Sequence, residues 1–307
     1  MRLPTFTMLV GIPASGKSTW ANEQKGVEVF SSDALRKELF GDENTQGDPN
    51  KVFSILRDRV KKCLSEGKDA ILDATNIKRA NRVGFLQDLG KIPCTKKCVV
   101  FLVSFDTLMK RNSNRDRVVP ESVIKRMFAS YQPPCYGEGW DDISFVVEDG
   151  VNDIFDLFLS TVDEMNGFDQ ENSHHSLSLY DHCKKAQELV VDLVGSDDKV
   201  LSRAAFLHDC GKLYTKTRVN AKGIEDGNCH YYNHQNVGAY IASLIAKASL
   251  DMSDKDTVRL SNIIYHHMSP YLEWKQSEKS LKRDLKLLGE EMVSDIYVVH
   301  NADDMAH

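Results

Sequence analysis

No run of 18 or more apolar residues occurs in the 307-residue chain, so no segment reads as a membrane-spanning helix. Cysteine pairs at CxxC spacing are also missing: Cys63, Cys94, Cys98, Cys135, Cys183, Cys210 and Cys229 are scattered, and their number is odd. In a chain of this length that excludes a disulfide framework and predicts a reduced, cytoplasmic protein with no membrane contact. The opening residues MRLPTFTMLV lack a small-residue cleavage site and run straight into a glycine-rich motif, so they are expected to form a first strand and not a signal peptide. Internal repeats and low-complexity tracts are absent.

Histidine is the most informative absence. The first 173 residues contain none, and all ten lie between His174 and His307. Residues 1–150 hold 23 Lys and Arg against 20 Asp and Glu, whereas the remainder holds 16 against 25. Such a shift, in a chain long enough for two cores, predicts two domains with different chemistry.

What is present supports that division. Short β-branched-rich runs at 5–10, 27–30, 69–73, 96–103 and 143–147 alternate with helical patterns at 18–24, 33–39, 51–66, 79–89, 106–113 and 120–130. This alternation predicts an α/β domain with a parallel sheet. A helical pattern at 151–168 leads into the polar stretch DQENSHHS (169–176), which sets the expected domains at 1–168 and 169–307. After it the patterns are helical, at 178–194, 199–209, 234–248, 253–267, 277–288 and 290–305, with loops expected at 215–233 and 268–276. The second domain is therefore expected to be all-α.

The segment GIPASGKST (11–19) fits GxxxxGK[ST] directly after a strand and before a helix. In that context Gly11, Ser15 and Gly16 let the backbone wrap phosphates, and Lys17 reaches the terminal phosphates of ATP. The Ser18 hydroxyl, with Thr19 beside it, meets Mg2+. Asp33, in SSDALRK (31–37), sits at the next strand-to-helix corner, where it can take a proton from an attacking hydroxyl or simply cap the helix. Arg36 lies one turn later and can hold a substrate phosphate or stay solvated. Asp73 ends the strand AILD at the position of a Mg-associated carboxylate, and Thr75 and Asn76 follow it toward the site. Arg111, Arg115 and Arg117 precede a fresh helix start at Pro120, where an arginine-bearing lid can close over a triphosphate.

Taken together, GIPASGKSTWA, SSDALRK, LDATN and KRNSNR followed by VP resemble the kinase domain of phage-type polynucleotide kinases, over roughly residues 1–150. The resemblance implies Asp33 as general base and Arg36 on the acceptor phosphate. It also implies Arg115, supported by Arg111, as the lid arginine.

In the second half, FLHDCGK (206–212) places His208 and Asp209 side by side at the end of an apolar helix. An HD dipeptide alone means little, but His182, His234, the pair His266 and His267 in IIYHHM, and ADDMA (302–306) surround it in order. The pattern H…HD…H…H…D is similar to the HD phosphohydrolase superfamily, over about 174–307. That resemblance implies a first divalent ion on His182, His208, Asp209 and Asp303, with Asp304 the competing choice, and a second on His234 and His266. Mn2+, Ni2+, Co2+, Fe2+ or Mg2+ would suit the donors, and Lys212 would contact substrate phosphate.

A kinase and a phosphohydrolase acting on one position would cancel; on the two ends of a broken RNA they form a pathway. The expected function is bifunctional end healing of RNA or DNA: phosphorylation of a 5′-hydroxyl, and removal of a 2′,3′-cyclic, 2′- or 3′-phosphate. No nucleotidyl-lysine ligase motif is recognisable, so an RNA ligase is expected to act downstream. The alternative is a small-molecule nucleoside or nucleotide kinase fused to an HD nucleotidase, favoured by the weak overall basicity. A nucleotide-gated regulator would need neither Asp33 nor Arg115, and a degenerate HD module would not keep this ligand set.

Overall fold

The structure is a computed structural model that describes residues 2–306 apart from 43, 44, 46, 116, 148–150 and 172–176; for 151–156 it describes the backbone alone. His174 and His175 fall outside the described residues. Two compact units emerge, one of residues 1–127 and 138–148, the other of 128–137 and 149–307.

The first unit runs β1 (Thr5–Val10), α1 (Lys17–Glu23), β2 (Glu28–Ser31), α2 (Ser32–Phe40), α3 (Pro49–Ser65), β3 (Ala70–Asp73), α4 (Arg79–Leu89), β4 (Thr95–Leu102), α5 (Phe105–Ser113), α6 (Glu121–Phe128) and β5 (Asp142–Val147). The five strands form one parallel sheet in the order β2-β3-β1-β4-β5. The continuous run Phe6–Val10 is fully buried except for a little of Thr7, as expected of a central parallel strand covered on both faces. On one face Leu9, Ile71, Val99 and Phe101 pack against Ala21 and Trp20 of α1. On the other, Phe6 stacks on Phe85 of α4 with centroids 5.4 Å apart. The helices follow their N-cap chemistry: Ser31, Asp48 and Ser104 each accept a backbone N–H from the first turn that follows.

A buried ion pair fixes the chain beyond β3. Arg82 is fully buried and donates Nε to Glu138 Oε2 at 2.7 Å and Nη2 to Oε1 at 2.6 Å. Its Nη1 reaches the Asn76 carbonyl at 3.1 Å, and Trp140 Nε1 donates to Glu138 Oε2 at 3.0 Å.

The second unit contains α7 (Val151–Asn166), α8 (Leu179–Val194), α9 (Lys199–Leu207), α10 (Lys212–Thr215), β6 (Lys216–Val219), β7 (Glu225–Tyr231), α11 (His234–Ala248), α12 (Asp254–His266), α13 (Glu278–Leu288) and α14 (Glu290–Met305). Helix α7, placed with the first half on sequence, packs against α8 and α11 in this unit. The segment expected as a loop at 215–233 holds an antiparallel hairpin, β6–β7, the exception to the helical character of this unit among the described residues. The second expected loop contains a short π-helical turn, Pro270–Trp274. Residues 128–137 supply part of the core: Tyr131 is fully buried, its ring and that of Phe128 meet Tyr240 edge-on, and Asn236 and Asn262 donate to the carbonyls of Tyr131 and Pro134. No disulfide is formed, and no described helix is long and apolar enough to cross a membrane.

Candidate functional site

At the carboxyl ends of the strands in the first unit lies a cleft of about 760 Å³, large enough for a nucleoside triphosphate and an acceptor group. The turn between β1 and α1 passes through positive φ at Ala14 (68°) and Gly16 (91°), and at Gly16 only glycine takes that conformation without strain. Lys17 is buried, with Nζ 2.8 Å from the Ile12 carbonyl and 3.2 Å from Ser15 Oγ, so its charge is held across the mouth of the turn. Gly11 spends its N–H on the Thr75 carbonyl at 2.9 Å, which ties the turn to the chain after β3. Exposed Ser18 donates its hydroxyl to Asp73 Oδ2 at 2.7 Å. A hydroxyl and a carboxylate side by side at this point are donors of the kind that suits Mg2+, and Thr19, exposed like Ser18, lines the same cleft.

Asp33 faces the same cleft and accepts Arg36 Nη1 at 3.0 Å, while Arg117 Nη1 lies 3.2 Å from its other oxygen. Arg36 is buried, and its Nε has no hydrogen-bond partner among the described residues. Such a donor can accept an anion at little desolvation cost, because its solvation is already lost. Arg111 and exposed Arg115 line the cleft from beyond β4. Asn76, expected to meet substrate, lines the cleft and also donates its amide to the Leu9 carbonyl at 2.8 Å, with a φ of 45°. It ties β3 to β1.

In the second unit, four ligand atoms from His182, His208, Asp209 and Asp303 lie within 4.8 Å of one another, as do three from Asp209, His234 and His267. Asp303 Oδ1 is 3.0 Å from His182 Nε2 and 3.3 Å from His208 Nε2. Asp209 faces both groups. Its Oδ2 is 3.3 Å from His208 Nε2, and its Oδ1 is 3.2 Å from His234 Nε2 and 3.8 Å from His267 Nε2. Asp304 is exposed and outside either group.

The sequence reading placed His266 here, and the structure replaces it with His267. The His266 ring packs against Trp274 and Tyr265, and its Nδ1 meets Ser269 Oγ at 3.0 Å. Helix α12 ends at this point, and the turn beyond aims residue 267 at His234, with the two Nε2 atoms 3.2 Å apart.

These donors fit divalent ions. His208, His234 and His267 each set Nδ1 2.7–2.8 Å from the backbone carbonyl three residues earlier, which fixes Nδ1 as the donor and leaves Nε2 as the ligand. Burial holds His267 at a pKa of about 3, with His208 and His234 adding to the effect, so it is a neutral imidazole. Burial opposes charge on Asp209, but Lys212 and His208 outweigh it and keep the carboxyl well below its ordinary range. Asp303 is likewise held low, burial being outweighed by His208 and His182. Burial also opposes protonation of His208, yet Asp209, Cys183 and Asp303 raise it well above its ordinary value. The carboxylates that hold a proton there are those that would hold a cation. Gly211 permits the approach of α10 to α11, because a Cβ there would stand 2.0 Å from the His234 carbonyl.

Lys212 is buried, 2.6 Å from Asp209 Oδ2 and 2.8 Å from Gln170 Oε1. Gln170 also accepts, at its backbone carbonyl, from the Tyr231 hydroxyl at 2.5 Å. Gln170 carries no local signal in the sequence, whereas the HH dipeptide marks His267 beside His266 without telling which of the two is the ligand.

Residues 6–134 match the AAA domain family, and residues 173–305 match the HD domain family. The L-seryl-tRNA(Sec) kinase of Methanococcus maripaludis is 24% identical over 258 residues, covering 74% of this chain and 97% of that protein. A chain in the structure of the Pnkp1/Rnl/Hen1 RNA repair complex is similar over 41% of this chain and 43% of its own, at 21% identity and a TM-score of 0.38. The present chain thus spans less than half the length of that one. A putative kinase from Chloroflexus aurantiacus is similar over 52% of this chain and 98% of its own, at 20% identity and a TM-score of 0.41.

Proposed function

We propose that this chain, which joins a P-loop kinase domain to an HD domain, heals both ends of broken RNA. In the first unit a 5′-hydroxyl oxygen attacks the γ-phosphorus of ATP, its proton passes to Asp33, and ADP leaves. Lys17 and the turn at Gly16 hold the phosphates, Ser18 and Asp73 are placed for Mg2+, and Arg36 offers its buried donor to the phosphate on the 3′ side of the acceptor. Arg111 and Arg115 meet charge on the transferred group from the lid side. In the second unit His182, His208, Asp209 and Asp303 would hold one divalent ion, and Asp209, His234 and His267 another. Ions there would supply Lewis acidity toward a phosphate ester and lower the pKa of a water. Lys212 keeps Asp209 charged and stands beside the site, with Gln170 fixing its ammonium.

The observation that carries this reading is the presence on one chain of a phosphate-wrapping turn in a cleft and of clustered His and Asp ligands, donor sets suited to adding and to removing phosphate. They serve a single purpose only when they act on different positions, and a strand broken to 5′-hydroxyl and 2′,3′-cyclic phosphate offers two. A reduced compartment and a separate RNA ligase fit the same reading. The test uses one RNA oligonucleotide carrying both ends, with ATP, Mg2+ and Mn2+, and follows each end by mass for wild type, Asp33→Ala and Asp209→Ala. Each variant should lose one reaction and keep the other. The seryl-tRNA(Sec) kinase relative favours a second reading, in which the acceptor is a hydroxyl other than an RNA 5′ end. Unchanged oligonucleotide ends beside phosphorylated nucleosides or seryl-tRNA would establish that reading instead.

A further inference from the structure

The sheet order divides the kinase cleft into two sides about β1. Strand β2 and helix α2, which carries Asp33 and Arg36, lie on one side; β4 and the arginine segment that follows α5 lie on the other. Helix α3 packs on α2, β2 and β3, and therefore belongs to the Asp33 side. Its core stripe is Val52, Leu56, Val60, Cys63 and Leu64, all buried. Phe53 is off that stripe. It is half-buried, and its ring lines the same cleft as Asp33 and Arg36. An aromatic ring left open to a polar cleft gives up burial that the adjacent stripe could have provided. In a site for a hydroxyl-bearing nucleic-acid end, such a ring offers a π-face to a base.

A second observation points the same way. Arg36, on the neighbouring helix, is buried with one donor unsatisfied, so this side of the cleft is built for an anion as well as a ring. A hydroxyl at Asp33, an anion at Arg36 and a flat ring at Phe53 are three parts of one 5′-terminal nucleotide: sugar hydroxyl, bridging phosphate and base.

We infer that Phe53 is the stacking platform for the 5′-terminal base of the acceptor, and so selects a nucleotide over a plain alcohol. This inference rests on the end-healing reading. Stacking is indifferent to base identity, because every base has a π-face, so the preference is for a base and not for a sequence.

The experiment compares a 5′-hydroxyl oligonucleotide with its twin bearing an abasic tetrahydrofuran unit at the 5′ position, for wild type, Phe53→Ala and Phe53→Tyr. Stacking on a protein aromatic is worth roughly 1–3 kcal/mol, so Phe53→Ala should raise acceptor KM about 5- to 150-fold on the normal end. The KM for ATP should stay within about twofold, the abasic acceptor should show less than a twofold change, and Phe53→Tyr should restore the normal acceptor. An equal loss on both acceptors would make the ring a structural support and overturn the inference. A rise confined to the KM for ATP would place the ring under the donor and overturn it as well. If wild type transfers phosphate to neither oligonucleotide, the end-healing reading falls and takes this inference with it. If it transfers to both and Phe53→Ala changes nothing, the inference alone fails.

Discussion

Replacing Arg82 by methionine keeps most of the buried side-chain volume but removes the charge that neutralises Glu138. Both side chains are fully buried, so Glu138 cannot turn to water. It would keep Trp140 as a donor and the mostly buried Arg79, whose Nε at 3.5 Å is too distant to replace a bidentate guanidinium. Breaking a buried pair by removing one member costs about 3–5 kcal/mol. Urea unfolding should therefore show Arg82→Met less stable than wild type by about 3–5 kcal/mol at pH 7. Because Arg82 also holds the Asn76 carbonyl, the variant should lose kinase activity before it loses fold. The double variant Arg82→Met, Glu138→Leu should recover most of the stability. A gap below about 1 kcal/mol at pH 7, or a double variant no more stable than Arg82→Met, would refute the reasoning.

Other outcomes follow from the same geometry. His267→Ala should lower bound metal, measured by elemental analysis after Mn2+ loading, by up to one ion per chain, whereas His266→Ala should keep the metal and lose some stability through Ser269 and Trp274. Ser18→Ala should raise the Mg2+ requirement of ATP turnover at least tenfold and leave hydrolysis at the second site unchanged. Asp198 caps α9 through the N–H groups of Val200 and Leu201 and accepts both Nη groups of Arg259, which also binds Asp295 on α14. Burial opposes its charge, but Arg259 and the two backbone donors outweigh it and hold its pKa below the ordinary value. A lowered carboxyl contributes stability that is present above the unfolded pKa of about 3.9 and is lost as pH falls through the folded value. Asp198→Ala should thus cost roughly 2 kcal/mol in a pH 7 denaturant titration, with the difference from wild type closing below about pH 4.

The parallel sheet and the phosphate turn were legible because burial on both faces imposes an unbroken apolar run, and because GxxxxGK[ST] between a strand and a helix admits few other folds. The helices around the metal groups were legible from their periodicity. Hairpin β6–β7 was not. Its strands, KTRV and EDGNCHY, have little apolar alternation, and tertiary partners hold them in place: Cys229 N–H donates to the Glu171 carbonyl and Tyr231 to that of Gln170. Between His266 and His267 the choice turns on how a helix end unwinds, which neighbouring residues of one type cannot reveal. That the amide of Asn76 also ties β3 to β1 was not legible, because a strand-end polar side chain can face a ligand, the next strand or both. Arg82 and Glu138 stand 56 positions apart, and only the fold shows that each is the other's counter-ion.

Residues 128–137 make the two activities hard to separate by cutting the chain. A fragment beginning at residue 169 would leave behind α7 and the ring of Tyr131, exposing the face of Tyr240 and stranding the side-chain amides of Asn236 and Asn262. A fragment ending at residue 127 would lack β5, the edge strand that pairs with β4. No single break yields two intact halves. A lineage that exchanged one catalytic half for another would have to carry these ten residues with the second half, although they are encoded inside the first.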